Sequence, residues 1–239
     1  MPMLHAQPRL VIPGEIAGRL RDGELVDDAD FDSLYPPTLR AMSTIHWTPV
    51  EVACRVVDLL APAVGELMLD IGSGVGKVCH VGALRSTACW QGIELRSRLN
   101  NAARAAAHVL GVSDRTRFVQ QDAATIDWHH ADGVYMFNPF GELRMDPDAA
   151  SLAPVGPLAG DRSRRARLAR YRTLVDAASE NAWRLRLGAR LVTFHGFGGS
   201  WPRCLELIDR IPMGTDFLEL WVRVGSTHQA PRVRSSLVS

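Results

Sequence analysis

Lysine is almost missing from this chain of 239 residues: lysine and arginine together number 27, and Lys77 is the only lysine. That bias carries no functional reading by itself, but the other scarcities exclude a good deal. The four cysteines, Cys54, Cys79, Cys89 and Cys204, form neither a C-x-x-C pair nor a cluster with histidine. They read as reduced, mostly buried thiols of a cytoplasmic protein, with no metal site and no disulfide framework. No apolar run approaches the ~18 residues that a membrane-spanning helix needs, so no membrane association is expected. The start of the chain lacks a basic stretch followed by a compact apolar one, which argues against a secretory signal. A net charge of +1 gives no global nucleic-acid footprint. There are no internal repeats, and a chain of this length suits one domain with a sizeable core.

Charge is nevertheless uneven along the chain. Residues 1–34 hold three arginines against seven acids, a net −4, whereas residues 161–190 hold nine arginines against three acids, a net +6. The basic run, with Arg162, Arg164, Arg165, Arg167, Arg170 and Arg172, reads as the solvated face of a surface helix; an RNA or an acidic partner is the sharper alternative. Adjacent His129 and His130 read as a solvated loop pair. Residues 1–43 form an N-terminal arm or lid, polar and acidic, broken by Pro36-Pro37, with one short helix near Pro13–Leu20. Residues 44–226 form the main domain and 227–239 a flexible tail.

Within the domain, Thr48 offers an N-cap with Pro49 at the first helical position, and residues 50–60 carry helical apolar spacing. Strands are predicted at 66–71, 89–94, 116–121, 132–138 and 189–195. Helices are predicted near 75–86, 97–111 and 163–187. The alternation predicts an α/β fold: a Rossmann-like, doubly wound, mostly parallel seven-stranded sheet with helices on both faces. At the end, Leu205–Ile211 and Phe217–Val224 flank Gly214-Thr215-Asp216, which predicts a hairpin and so an antiparallel C-terminal strand. Residues 149–160, small and proline-bearing, read as a lid or substrate loop.

The first predicted strand runs Leu67-Met68-Leu69-Asp70-Ile71 into Gly72-Ser73-Gly74-Val75-Gly76, and the next ends Gly92-Ile93-Glu94. Glycines at a strand-to-helix turn let a ligand approach backbone amides that side chains would block. A carboxylate closing the second strand suits a pair of ribose hydroxyls. The third glycine comes one residue too early for the dinucleotide pattern, and Asp70 would repel a pyrophosphate. A phosphate loop is excluded as well, because Ile71 and Val78 stand where glycine and a hydroxyl would be required. S-adenosyl-L-methionine (SAM) has no phosphate and carries a cationic amine and sulfonium, so an acid at the turn is useful. The expected cofactor is SAM. Thr48, Asp70, Gly72, Ser73, Gly74, Gly76, Glu94 and Leu95 are the binding candidates at the first two strand ends.

Asp122 and Ala123, after the third strand, are candidates for the adenine, Asp122 as acceptor for its amine or simply as a helix cap. The fourth strand ends Phe137-Asn138-Pro139-Phe140-Gly141, beside the place where the methyl group must lie. Asn138, Pro139 and Phe140 are the catalytic candidates. Proline after Asn138 predicts an extended backbone there, aiming amide oxygens at a nitrogen nucleophile. Phe140 is expected to stack on a planar acceptor, and an apolar slot would help keep an amine unprotonated.

These motifs, from Thr44 to about Gly198, resemble the class I SAM-dependent methyltransferases. Asp70 to Gly76 with Gly92-Ile93-Glu94 is similar to the histone-lysine methyltransferases named for disruption of telomeric silencing, and to the lysine methyltransferases of the ATP synthase c subunit. The resemblance implies that Thr48, in Thr44-Ile45-His46-Trp47-Thr48-Pro49, closes over the cofactor, and that Leu191 to Phe197 is the fifth strand with its aromatic exit. Asn138-Pro139-Phe140-Gly141 departs from the corresponding segments of lysine, adenine and glutamine methylating enzymes. No chromatin-binding extension is visible, and the composition reads as bacterial. The expected activity is transfer to a nitrogen acceptor, with protein lysine, RNA and a small metabolite as candidate substrates. An inactive SAM-binding scaffold working through residues 161–190 is the alternative, and an NAD-dependent oxidoreductase is disfavoured by Asp70 and the early glycine.

Overall fold

The computed structural model describes residues 12–41, 43, 47–144 and 163–225. The expected loop at 149–160, the tail and Thr44 to His46 lie outside them. Seven strands form one sheet: β1 (Leu67–Ile71), β2 (Cys89–Glu94), β3 (Thr116–Gln120), β4 (Gly133–Phe137), β5 (Arg190–Phe194), β6 (Leu205–Met213) and β7 (Asp216–Arg223). Their order is β3-β2-β1-β4-β5-β7-β6, and β7 alone runs antiparallel to its neighbours. The chain crosses over in one direction from β1 to β2 and β3, then returns to place β4 on the other side of β1. A ligand cleft opens where those crossovers diverge, above the carboxyl ends of β1 and β4.

Alternating strand residues divide the core into two layers. Met68, Tyr135, Val192 and Phe194 face one layer, and Leu69, Ile71, Val134, Met136 and Leu191 face the other. Helices α4 (Val50–Leu60), α5 (Lys77–Arg85) and α6 (Ser97–Val109) cover the first layer. The long α7 (Arg164–Arg184) covers the second with Leu174, Ala178 and Ala182. Ser163 caps it by accepting from the Ala166 amide at 3.2 Å. One local expectation changes: Pro49 is the cap of α4 and Thr48 lies outside it. The Thr48 hydroxyl is instead hydrogen-bonded to the Tyr135 hydroxyl at 3.0 Å, which joins the start of α4 to the sheet.

Among its described residues the N-terminal arm holds the helices α1 (Pro13–Arg21), α2 (Asp28–Asp32) and α3 (Pro37–Arg40). Its polar surface conceals a spaced apolar set: Ile16, Leu20, Phe31, Tyr35 and Leu39 are buried in the first core layer. The described part of the arm therefore shares the core of the domain. Its charge is equally engaged. Lys77, buried at the start of α5, places Nζ 2.7 Å from both Asp28 and Asp32, and 5.6 Å from the ring centroids of Phe31 and Trp47. Nearby, the Tyr35 hydroxyl donates to His80 Nδ1 at 3.2 Å, while His80 Nε2 donates to the Ala103 carbonyl at 2.9 Å. Burial lowers the His80 pKa to about 4, so its imidazole is neutral and Nδ1 can accept.

Removing the lysine while leaving buried Asp32 in place strands a charge. Lys77→Met should lower unfolding free energy by roughly 3 kcal/mol, measured by urea denaturation, and the double variant Lys77→Met/Asp32→Leu should recover part of the loss. A single variant as stable as the parent would show that this cluster does not hold the arm.

Candidate active site

A cleft of about 290 Å³ lies above the carboxyl ends of β1 and β4, and a smaller one of about 80 Å³ adjoins it. Gly72, Glu94, Arg96 and Pro139 line both, so the two are lobes of one site. The larger lobe is walled by Trp47, Thr48, Asp70, Ser73, Gly74, Phe137 and Asn138 among others. The smaller is walled by Leu95, Asp122, Ala123, Phe140 and Arg170. Every expected binding residue except Gly76 therefore lines the site.

The three turn glycines have three different duties, although all have positive φ. A Cβ on Gly74 would meet nothing within 4 Å, so its open side faces the space available to a ligand. A Cβ on Gly72 would press on Pro139 at 3.0 Å, and one on Gly76 would overlap the Phe118 ring. Gly76 is thus required by packing, and it lines neither lobe.

Electrostatics distinguish the two acids. Asp70, at the end of β1, is buried, and among the described residues its hydrogen-bond partner is Cys79 Sγ at 3.8 Å. Desolvation, with a smaller contribution from the Glu94 charge, raises its pKa to about 7 against the weak Cys79 bond. Glu94 accepts from the backbone amides of Gly74 at 3.1 Å and Arg96 at 2.8 Å, and the Arg96 guanidinium lies 3.8 Å away. Glu94 therefore ties the glycine turn to the end of β2 as well as lining both lobes. Asp122 accepts from the Ala124 amide at 2.9 Å and pairs with Arg170 of α7. That amide bond closes a local turn in a non-helical segment, so Asp122 is not a helix cap, and Arg170 brings the arginine-rich helix to the edge of the site.

Two buried donors at the larger lobe, Trp47 Nε1 and Ser73 Oγ, have no hydrogen-bond partner among the described residues. Such groups are costly unless a ligand or water satisfies them.

At the end of β4 the backbone departs from expectation. Asn138 has φ 34°, so it is left-handed rather than extended; asparagine tolerates this region better than most residues. Its amide N–H donates to the Phe194 carbonyl at 3.1 Å and its carbonyl accepts from Gly141 at 3.0 Å. The side-chain amide occupies the place a Cβ on Gly141 would take. Phe140 is also placed differently: it is buried in the second core layer and borders the smaller lobe, which removes it from an acceptor-stacking role. The aromatic rings at the larger lobe are Trp47 and Phe137, the latter stacked on Phe194 with centroids 5.4 Å apart.

No protein-family model matches the chain, and no curated protein matches it. Solved structures do. An RNA methyltransferase from Salinibacter ruber, in complex with S-adenosyl-L-homocysteine, is 20% identical with a TM-score of 0.53, over 78% of this chain and 97% of that one. TrmN from Thermus thermophilus is 16% identical with a TM-score of 0.52, over 74% of this chain and 49% of its own. A SAM-dependent O-methyltransferase from Thermotoga maritima is 14% identical with a TM-score of 0.50, over 81% and 74%. The fold is the seven-stranded, Rossmann-like methyltransferase fold.

Burial of Asp70 costs stability as pH rises. Its folded pKa near 7 lies above the ordinary 3.8, so the folded chain holds the extra proton between those values and loses stability as pH rises through them. Asp70→Asn should match the parent near pH 4 and exceed it by roughly 4 kcal/mol above pH 7. Denaturant titrations at pH 4.5 and 8 check this; an equal difference at both would mean that Asp70 does not titrate in that window.

Proposed function

We propose that the protein is a SAM-dependent methyltransferase that transfers the methyl group to a nitrogen acceptor. The carrying observation is Asp70, a buried carboxylate walling the cleft with a raised pKa and no cation beside it among the described residues. SAM supplies an electrophilic methyl group on a sulfonium. The residues fit the rest of that molecule. Asp70 suits the ammonium, and the unpartnered Trp47 Nε1 and Ser73 Oγ suit the carboxylate of the same amino-acid end. Glu94 borders both lobes, where ribose hydroxyls would donate to it. Leu95, Ala123, Asp122 and Phe140 would hold the adenine in the smaller lobe. Asn138 and Phe137 then stand at the remaining wall, where the acceptor must meet the methyl group; fixing that approach is the main help the protein can give an in-line displacement.

Fold likeness supports the class of reaction, and the turn motif supports the finer resemblance to lysine methyltransferases. The neighbour from Salinibacter ruber acts on RNA, and Arg170 brings a basic helix to this cleft. Protein lysine, RNA and small metabolites are therefore all acceptors to be assayed. Tritiated methyl transfer from SAM into protein, RNA and small-molecule fractions is the deciding experiment. Binding of S-adenosylhomocysteine without transfer to any fraction would favour a scaffold.

Glu94→Ala should weaken S-adenosylhomocysteine binding about 10- to 100-fold by calorimetry, in keeping with the loss of ~1.5–3 kcal/mol of charge-assisted hydrogen bonding. Unchanged affinity in a folded variant removes the ribose assignment. Parental affinity should rise with pH up to about 7 and level off above it, because Asp70 must shed its proton to face an ammonium. A flat profile would place the ammonium elsewhere. Asn138→Ala should keep cofactor affinity within a few-fold and cut transfer at least about 100-fold, or ~2.7 kcal/mol of barrier. Loss of binding instead would move Asn138 into the cofactor pocket.

A further inference from the structure

Next to the wall of the cleft, outside the residues that line either lobe, stands a histidine–carboxylate pair. His195 follows β5 directly and so lies beside Asn138, which follows the neighbouring strand β4 at the same level; the last register pair before them is Phe137 with Phe194. The His195 ring centroid is 5.3 Å from that of Phe137, which lines the larger lobe. His195 Nδ1 is paired with Asp216 Oδ2. Asp216 begins β7, just after the turn that returns from β6, and its other oxygen accepts from the Phe217 amide at 2.7 Å. The carboxylate is thus anchored by backbone, and it in turn fixes which imidazole nitrogen carries hydrogen.

Backbone conformation singles out the same place. Among the described residues three non-glycines have positive φ: Ala61 at the end of α4, Asn138 at 34° and His195 at 60°. Two of the three sit side by side at one edge of the sheet. Strain of this kind costs of order 1–3 kcal/mol and persists where surrounding structure enforces it, commonly at functional sites. Here the enforcing contacts are the Asn138 amide on the Phe194 carbonyl and the Asp216 carboxylate on His195.

We propose that His195, oriented by Asp216, accepts the proton that the methyl acceptor gives up, and that the acceptor is a planar, conjugated nitrogen. This rests on the methyltransferase reading. In the step, the nitrogen lone pair forms the bond to the methyl carbon. The carbon–sulfur bond breaks with its electron pair going to sulfur. The proton on the newly cationic nitrogen passes to His195 Nε2, and from there to solvent, which half-exposed His195 reaches.

The acceptor class follows from acidity. An alkylamine such as a lysine side chain, with an ordinary pKa near ~10.4, keeps its proton after methylation and needs no base to complete the transfer. A conjugated nitrogen that bears hydrogen, such as an exocyclic amine on a ring, becomes a strong acid when methylated and must lose its proton. Phe137, which lines the larger lobe and is backed by buried Phe194 at an interplanar angle of 25°, offers one ring to such a group. Asp216 is a positioning residue in this scheme and His195 the catalytic one.

The full-length protein serves for the test, with total RNA, a nucleoside mixture and a lysine-rich peptide as acceptors for tritiated methyl. His195→Gly is the informative variant, because glycine accepts the left-handed backbone without strain and leaves a slot for added imidazole. Expected are labelling of RNA or nucleosides, S-adenosylhomocysteine affinity within about twofold of the parent, and kcat down about 100-fold with KM little changed. Added imidazole should restore part of that rate, and Asp216→Asn should fall in between. Nitrogen NMR of the imidazole should show hydrogen on Nδ1 in the parent. Parental kcat in His195→Gly, hydrogen on Nε2 in the neutral ring, or labelling of the lysine peptide alone would overturn the proposal. A parent that binds the cofactor but labels none of the three acceptors would instead bring down the methyltransferase reading on which it rests.

Discussion

At three glycines around the turn after β1, backbone and side chains approach so closely that a single methyl group would crowd its neighbours. Gly76 lies against Phe118 and Ala103, Gly72 against Pro139, and Gly92 against Ser73 and Phe118. Phe118 comes from β3 and Ala103 from α6, so these contacts set the distances between the turn, the outer strands and their helix. Gly82 of α5 lies equally close to Trp90 of β2, which extends the contact along the same helix. With this interlock in place, the start of α5, the end of β2 and the exit of β4 converge on one cleft. A side chain at any of these glycines would push one wall away from the others.

The parallel sheet was legible because each buried strand announced itself as a short apolar run, and because glycine turns and helical spacing separated those runs. Ligand-facing acids were legible for a related reason: a carboxylate ending an apolar strand has few structural uses. Other features had no local signal. Proline after Asn138 argued for an extended backbone, but the hydrogen bond from its amide to Phe194 and the room above Gly141 prevailed. Phe140 carried the apolar character of a stacking residue and of a core residue alike, and only the packing of the second layer chose between them. In the arm, apolar residues are spread thinly among acids, so its share in the core emerges only once α5 supplies a surface to cover. His195 and Asp216 lie 21 residues apart, in a strand exit and a turn. Their partnership depends on β7 reversing direction to lie against β5.

Charges near the cleft are arranged by contrast. Lys77 begins α5 at its amino end, where a helix dipole disfavours a cation, and two arm carboxylates surround it. Asp70, not far along the chain, is left among apolar neighbours and a thiol. Lys77 is paired with carboxylates inside the protein, whereas Asp70 has no cation beside it among the described residues. The arm is therefore docked by a charge cluster that leaves the acid of the cleft out of its pairing.

The buried state of the single lysine has a practical side. Amine-directed acylating labels and cross-linkers find no exposed lysine side chain on this surface, only an ammonium enclosed by two carboxylates and two aromatic rings. Surface chemistry therefore runs through arginine, whose guanidinium stays charged and resists the same reagents. A proteolytic map of the protein is correspondingly a map of its arginines, and an attachment strategy for immobilising or tagging it has to begin with exposed Cys89.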